Sequence, residues 1–179
     1  VGARRIGTEI VRQYRNGEFV GLYLVQEGPN RSWLRSKGFS GDGEVYKAST
    51  APQYDGGNPG YSGTEVSDLR HFEDPSLYPL LWEKKSDNIG SYDSLIELTD
   101  IISNTPDEQL FDVLQETIEL DDWLYSWSVQ VIAGNTDIIG TNYLIVKPAE
   151  PELKWQYYHF DFSHFFGCKG IDFNYVVCH

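Results

Sequence analysis

The sequence predicts an α+β fold, with a β-hairpin near the N-terminus, helices in the middle and two strands near the C-terminus. Residues 10–27 hold two β-rich runs around an Asn-Gly pair, and residues 91–132 carry apolar side chains at mostly helical spacing. Residues 142–147 and 154–162 are rich in aromatic and β-branched side chains. Strands and helices that occupy separate parts of a chain are typical of the α+β class. No repeat or low-complexity tract divides the chain, so we expect a single domain over residues 1–179.

The N-terminal hairpin is predicted by Asn16-Gly17, because a two-residue turn between paired strands needs positive φ angles that Asn and Gly adopt easily. The segment from Gly28 to Gly63 is rich in Gly, Ser, Pro and Asn. Loops should therefore dominate this segment, with one short strand over residues 43–49.

Three helices are predicted in the middle of the chain. The first covers residues 91–104, and Thr105 followed by Pro106 and Glu108 predicts the cap and first turn of the second. The acidic residues 119–122 open the third helix. The side chains expected to face inward are Leu110, Phe111, Leu114 and Ile118 in the second helix, and Trp123, Leu124, Trp127 and Val131 in the third.

The two C-terminal strands are expected to pair as an antiparallel hairpin with their aromatic side chains in the core. Asn142 begins the first of these strands, and Asp161 lies near the end of the second. An antiparallel pairing therefore brings Asn142 and Asp161 to the same end of the sheet.

Composition and charge limit the classes of function. The chain has 14 basic and 27 acidic residues and a formal charge of −13, which repels phosphate backbones and anionic lipids, so we do not expect nucleic-acid binding. No apolar run reaches the ~20 residues that span a bilayer.

The chain begins with Val and contains no Met, so we expect a processed or excerpted segment. The sequon Asn30-Arg31-Ser32 favours a secretory protein, and Cys168 and Cys178 either form a disulfide or are free thiols.

A polar break between two apolar runs holds Asn135, Asp137 and Asn142. Asp137 and Asn142 have the Asp-x-x-x-x-Asn spacing with which protein kinases place a catalytic base and a magnesium-binding amide on one loop. Asp161 would be a second metal ligand, because a buried carboxylate is costly unless it is paired or bound to a cation. The alternative is structural: Asn135 and Asp137 cap a helix or form an Asx turn, and Asp161 pairs with a nearby Lys or Arg.

Two other patterns carry less information. His159 and His164 flank Asp161, but strand alternation places them on opposite faces, which disfavours a transition-metal site. Lys47 lies in the predicted strand over residues 43–49, where it either reaches a phosphate or is a solvated strand lysine.

Five segments, in order along the chain, resemble the motifs of the CotH (spore coat protein H) kinase family: GEFVGLYLVQE, VYKAS, WEKKSDNIGSYDSLIEL, GNTDIIGTNYLI and WQYYHFDFSHFFG. The resemblance covers residues 10–167 and implies an atypical protein-kinase-like fold that uses ATP with Mg or Mn. It matches Asp137 and Asn142 to the catalytic and metal-binding loop, and Asp161 to the first acidic residue of the last motif. It also implies a nucleotide-site role for Glu27 and Lys47.

The chain departs from the family pattern in two places. Ser163 stands where many members have a second Asp, so one metal ligand or supporting group is replaced. Members also have a Gly/Ser- and Lys-containing segment before the Gly-Leu-Tyr strand, and they continue past Phe166-Gly167. We therefore expect this chain to be the central portion of a kinase domain.

The resemblance implies an enzyme that transfers the γ-phosphate of ATP to Ser or Thr hydroxyls of a secreted or coat protein. Such an enzyme would be secreted, at the cell surface or in the spore coat. The alternative is a non-catalytic kinase-like surface or coat protein that acts as an adhesin or scaffold. A calcium-stabilised module at the loop around Asp55 is disfavoured, because that loop lacks enough carboxylates for the ~6–8 oxygen ligands of calcium.

Overall fold

The computed structural model describes residues 4–49, 67–86, 90–135 and 141–159. Within these ranges the chain forms a two-stranded hairpin, a four-stranded sheet and five α-helices. The α+β class predicted from the sequence is confirmed.

The elements follow one another in the order strand, strand, helix, strand, helix, strand, three helices, strand, strand. A short 3-10 turn, Pro75–Leu77, leads into the second helix. The bounds are β1 Thr8–Arg15, β2 Glu18–Gln26, α1 Arg31–Ser36, β3 Glu44–Ala48, α2 Tyr78–Leu81, β4 Trp82–Lys84, α3 Asp93–Asn104, α4 Asp107–Thr117, α5 Leu120–Ile132, β5 Tyr143–Lys147 and β6 Gln156–His159.

Strands β1 and β2 form the predicted hairpin. Asn16 and Gly17 at its turn have φ angles of 52° and 87°, as a tight turn between strands requires. A register shift after Gln13 marks a β-bulge. The hairpin exposes apolar side chains on both of its faces, among them Ile10 and Leu24 on one face and Tyr23 and Val25 on the other.

The four-stranded sheet has the order β4-β3-β5-β6, and each neighbouring pair is antiparallel. One face packs against α3 and α5 through Leu95, Leu98 and Trp123. The other face packs against α1 through Trp33 and Leu34. The buried sheet residues include Tyr46, Tyr143, Ile145 and Tyr157 on the first face and Val45, Leu144, Val146 and Tyr158 on the second.

Helix α1 occupies part of a segment in which we expected only loops and one strand. Asn30 caps it, since its side-chain oxygen accepts a hydrogen bond from the backbone N–H of Trp33 at 3.0 Å. Trp33 and Leu34 are buried against the sheet. Two adjacent apolar residues are too few to show a helical period, so the pattern did not reveal this helix.

The predicted start of the second long helix is wrong by one residue. Thr105 ends α3 instead, and its N–H donates to the carbonyl of Ile101 at 3.3 Å. Pro106 then stands at the N-cap position of α4, with φ −55° and ψ 140°, and no side chain caps the helix. Because α3 and α4 follow each other so closely, Thr105 closes one helix and does not open the next.

The predicted inward faces of α4 and α5 are wrong in part. Phe111 of α4 is 61% exposed, and Leu124 and Val131 of α5 are 55% and 68% exposed. The buried face of α5 includes two polar positions, so apolar spacing alone could not identify it. Its buried residues are Trp123, Ser126 and Gln130.

Candidate functional site

The candidate site is at the end of the sheet where β5 begins and β6 ends. Tyr143 and His159 are paired across these strands, so Asn142 lies beside the point at which the chain leaves β6 toward Asp161. The antiparallel pairing of the two strands is the one predicted from the sequence. Asp137 and Asp161 lie outside the described residues.

Asn142 has an unusual backbone conformation at this position. It is partly buried, and its φ of 60° is in the left-handed region. Few residues other than Gly adopt this region, and Asn tolerates it better than most. Such a conformation persists where the surrounding structure holds it. The fold therefore sets the direction in which the Asn142 amide leaves the backbone.

The other side of the polar break begins at the end of α5. Gly134, with φ 65°, follows the helix. Asn135 is buried, its side-chain amide donates to the Oε1 atom of Gln130 at 2.7 Å, and its backbone N–H donates to the Gln130 carbonyl at 3.0 Å. The hydrogen bonds of Asn135 therefore end helix α5. This is the helix-capping role that we considered as the alternative to a place in a catalytic loop.

Lys47 lies on β3, next to β5 in the sheet. It is paired with Leu144, two residues after Asn142, so Lys47 and Asn142 lie at the same end of the sheet. Strand alternation places Lys47 on the face that carries Val45 and Leu144 and packs against α1. The side chain is partly buried. Lys47 is therefore a partly buried basic residue at the same end of the sheet as Asn142.

Glu27 follows β2 and accepts several hydrogen bonds at the base of the hairpin. Its Oε2 atom accepts hydrogen bonds from the Gly7 N–H at 2.8 Å, the Trp33 indole at 3.1 Å and the Lys37 ammonium at 2.7 Å. These donors, with Lys37 the largest contributor, hold the pKa of Glu27 below its ordinary value. A Cβ atom at Gly7 would lie 2.7 Å from the carboxyl carbon, so a larger residue there would displace the Glu27 carboxylate. Glu27 therefore joins the hairpin to α1.

His159 lies at the same end of the sheet, and the sequence did not predict its burial or its contact with the Tyr157 hydroxyl. It is 2% exposed, and its Nε2 atom is 3.1 Å from the Tyr157 hydroxyl. Burial lowers the pKa of His159 to about 4, against a smaller raising effect from the backbone of Asn142. The alternation Tyr157-x-His159 was a signal that both side chains share one face of β6, but it does not indicate their hydrogen bond.

The predicted metal ligands suit a hard cation. Amide and carboxylate oxygens, as in Asn142 and Asp161, are the donors that Mg²⁺ and Mn²⁺ prefer. Among the residues that the structure describes, no group of three or more His, Cys, Asp and Glu side chains is arranged to hold a metal ion. One of the two predicted ligands, Asp161, lies outside those residues, so the role of Asn142 as a metal ligand stays a prediction.

A family model for CotH kinase proteins matches residues 3–174 of the chain. The chain belongs to the CotH kinase family. The match runs from the segment before β1 through Asp161, and it includes the five motifs that resemble this family. A separate comparison with curated proteins found no match to the chain. Over the described ranges, no helix of this CotH chain is both long enough and apolar enough to cross a membrane.

Proposed function

We propose that this CotH chain is an atypical, metal-dependent protein kinase that transfers the γ-phosphate of ATP to a Ser or Thr hydroxyl. The observation that carries the proposal is the family match over residues 3–174, within which β5 and β6 pair so that Asn142 lies beside the start of the segment leading to Asp161. The order of a helix, a polar loop and a strand pair is the one on which kinases build this chemistry.

In the proposed mechanism, Asn142 and Asp161 hold Mg²⁺ or Mn²⁺ and Asp137 orients the hydroxyl of the protein substrate. The bound metal ion offsets the charge of the ATP phosphates as the γ-phosphoryl group transfers. Lys47, at the same end of the sheet, contributes a positive charge toward the phosphates. Glu27 supports the nucleotide side indirectly, by fixing the base of the hairpin through Gly7 and Lys37.

The protein substrate is proposed to be secreted or part of a spore coat, and the enzyme is proposed to act in the same place. Family membership supports this location. The strongly acidic composition supports a protein partner over a nucleic acid, because a field of this sign repels phosphate backbones.

The metal site is tested by thermal unfolding with and without Mg-ATP or Mn-ATP. Ligand at 100 times its Kd stabilises the folded state by about 2.7 kcal/mol, so the wild type should melt several degrees higher with metal and nucleotide. Asp161→Ala should lose most of this shift. A shift of equal size in Asp161→Ala would remove Asp161 from the metal site.

Asn142 allows a test in which backbone strain is controlled. Asn142→Gly tolerates the φ of 60° but has no amide oxygen, whereas Asn142→Asp keeps an oxygen ligand on a residue type that also tolerates this region. We expect Asn142→Asp to retain the metal-dependent shift and Asn142→Gly to lose it without losing stability in the absence of metal. Equal shifts in both variants would exclude Asn142 as a ligand.

Catalysis is tested separately with Asp137→Asn, which keeps the shape of the side chain and removes its charge. This variant should retain the Mn-ATP shift and lose transfer of the γ-phosphate by at least ~10²-fold, the usual contribution of an acid–base group. Transfer at the wild-type rate would remove Asp137 from the mechanism.

A non-catalytic adhesin or scaffold is the second candidate function. The exposed apolar side chains on both faces of the hairpin favour it, since exposed apolar surface commonly marks a protein-binding site. Ser163, in place of a second Asp, also favours reduced metal binding. This function predicts that partner capture from a coat or surface extract depends on Leu22 and Leu24 and is unchanged in Asp161→Ala. Loss of capture in Asp161→Ala would argue against it.

A further inference from the structure

Asn30 lies between β2 and α1, in the sequon Asn30-Arg31-Ser32, which the proposed phosphotransfer mechanism does not use. No other Asn of the sequence is followed two positions later by Ser or Thr. The backbone of Asn30 is extended, with φ −148° and ψ −175°. The side chains of Asn30 and Ser32 are both exposed. The sequon is therefore on the surface, as the acceptor of an N-linked glycan must be.

The two polar atoms of the Asn30 amide face different surroundings. The Trp33 backbone N–H is a donor, so the atom that it meets at 3.0 Å is the amide oxygen, Oδ1. An N-linked glycan attaches to the other atom, Nδ2. Nδ2 lies 4.0 Å from the position that a Cβ atom would take at Gly28, and Gly28 has no side chain to crowd it. The helix cap and a glycan therefore do not compete for the same atom.

Helix α1 leaves the sequon accessible and does not need its hydroxyl. Trp33 and Leu34 pack against the sheet, whereas Arg31 and Ser32 are exposed. The Ser32 hydroxyl forms no hydrogen bond with any described residue. An N-cap needs only a side-chain oxygen at Asn30, which Asp or Ser would also supply. The cap therefore does not account for a hydroxyl two residues later, whereas glycan transfer requires one.

We propose that Asn30 is the acceptor of an N-linked oligosaccharide, which is attached through Nδ2 while Oδ1 continues to cap α1. In the transfer, Nδ2 forms a bond to the anomeric carbon of an oligosaccharide carried on a lipid pyrophosphate. The bond from that carbon to the pyrophosphate breaks, the lipid pyrophosphate leaves, and Nδ2 loses one proton to a base of the transferring enzyme. The inference rests on the secretory location proposed above and is independent of phosphate transfer.

The acceptor is tested by directing the full chain into the secretory pathway of a eukaryotic cell with a cleavable leader peptide. Intact mass is measured on chain from the cells and from the medium, before and after treatment with an amidase that removes N-linked glycans. Ser32→Ala removes the sequon and keeps the Asn30 cap, whereas Ser32→Thr keeps both. Asn30→Asp keeps a capping oxygen and removes the acceptor nitrogen.

We expect one glycan per chain in the wild type and in Ser32→Thr, and none in Ser32→Ala or Asn30→Asp. Both variants without a glycan should melt close to the amidase-treated wild type, so that loss of the glycan is not a loss of folding. A wild-type chain without a glycan at Asn30 in both fractions would overturn the inference, and so would a Ser32→Ala chain that keeps one. Phosphate transfer is not part of these measurements, so the inference and the proposed kinase activity fail separately.

The shared use of the Asn30 amide has its own measurement, the hydrogen exchange of the Trp33 amide. The glycosylated chain should exchange at the rate of unglycosylated wild type from a bacterial host. Asn30→Ala, which has no capping oxygen, should exchange roughly five-fold faster. The amidase converts a glycosylated Asn to Asp, so the treated chain should also exchange slowly. Exchange as fast in the glycosylated chain as in Asn30→Ala would show that the glycan displaces the cap and would overturn this division.

Discussion

Glu44 shows how one carboxylate can hold three elements together. Its Oε1 atom on β3 binds the Lys84 ammonium of β4 at 2.5 Å, and its Oε2 atom accepts a hydrogen bond from the Ser94 hydroxyl of α3. The Lys84 side chain is 7% exposed. Burial raises the pKa of Glu44, but the hydrogen bonds from Lys84 and Ser94 outweigh it and leave the pKa below its ordinary value.

Glu44→Gln is therefore expected to destabilise the fold by about 2 kcal/mol, because it leaves the buried Lys84 ammonium without its carboxylate. The double variant Glu44→Gln/Lys84→Met should recover most of this loss, since neither charge is then buried. Urea unfolding at pH 7 measures both differences. A double variant as unstable as Glu44→Gln would show that the charge on Lys84 is not the cause.

The same pair predicts a dependence on pH. A carboxyl whose folded pKa is lowered contributes stability that is present above its unfolded value, near 4.5 for Glu44, and is lost as the pH falls through the folded pKa. The stability difference between wild type and Glu44→Gln should therefore shrink as the pH falls below 4.5. A difference that stays constant from pH 7 to pH 3 would contradict the assigned pKa direction.

Helix α4 carries acidic residues at both ends, with opposite consequences. Glu108 lies in its first turn, where the helix dipole favours a negative charge, whereas Glu116 lies in its last turn, where the dipole disfavours one. Glu116 also shares an open concave surface with Asp112, Glu119, Asp121 and the cation Lys154. The helix dipole is therefore the effect that makes the charge on Glu116 unfavourable.

Glu116→Lys should stabilise the protein by roughly 0.5–1 kcal/mol, and Glu108→Lys should destabilise it by a similar amount. Both residues are exposed on the same helix, so each variant is a control for the other. Thermal unfolding at low ionic strength measures the two shifts. Shifts of the same sign would show that overall charge, and not the helix dipole, determines the effect.

The hairpin should open independently of the four-stranded sheet, because an isolated two-stranded ribbon is only marginally stable. Gly17 has φ 87°, and a Cβ atom there would meet no other atom within 4 Å, so Gly17→Ala adds backbone strain alone, about 1 kcal/mol. Amide exchange over residues 8–26 should become about five-fold faster, with β3 and β5 unchanged. Gly21→Ala, whose Cβ would meet only the Tyr23 ring at 3.5 Å, should leave exchange unaltered.

The elements that could be predicted from the sequence are those with strong local signals. Asn16-Gly17 and the aromatic runs of β5 and β6 specify turns and strands within a few residues. Helix α1 depends on contacts of Trp33 and Leu34 with the distant β3 and β5, which no local pattern shows. The predicted inward face of α5 was wrong in part because Gln130 is buried and forms a hydrogen bond with Asn135. A polar residue that has a hydrogen-bond partner can be buried as an apolar one is.

The candidate site also has one part that could be predicted from the sequence and another that could not. The pairing of β5 with β6 at Asn142 followed from strand order and alternation, which are properties of the local sequence. The role of Glu27 at the base of the hairpin depends on hydrogen bonds from Gly7, Trp33 and Lys37, which lie 6 to 20 residues away in the chain. Such partners are determined by tertiary packing, so spacing could not predict them.

Charge is distributed unevenly along the chain. Residues 1–47 contain eight basic and five acidic residues, whereas residues 48–179 contain six basic and 22 acidic residues. The second part includes α3, α4 and α5, which have no basic residue in their last turns. Like charges in this part repel one another in the folded state.

Added salt should therefore raise the melting temperature, by a few degrees between about 20 mM and 500 mM NaCl, because it screens this repulsion. Choline chloride at the same ionic strength should give a similar shift, since screening does not depend on the cation. A melting temperature that falls with both salts would show that favourable ion pairs such as Arg4–Asp122 and Lys37–Glu27 outweigh the repulsion.

The hairpin turn also gives a practical place for attaching a label. Strands β1 and β2 extend for eight and nine residues from the Glu27 contacts, so the turn lies roughly 25 Å from them at ~3.3 Å per residue. A short affinity peptide or a fluorophore inserted between Asn16 and Gly17 would lengthen an exposed turn and leave the pairing at Gly7 and Glu27 intact. The protein could then be held on a surface by its hairpin, at a point distant from the Glu27 contacts.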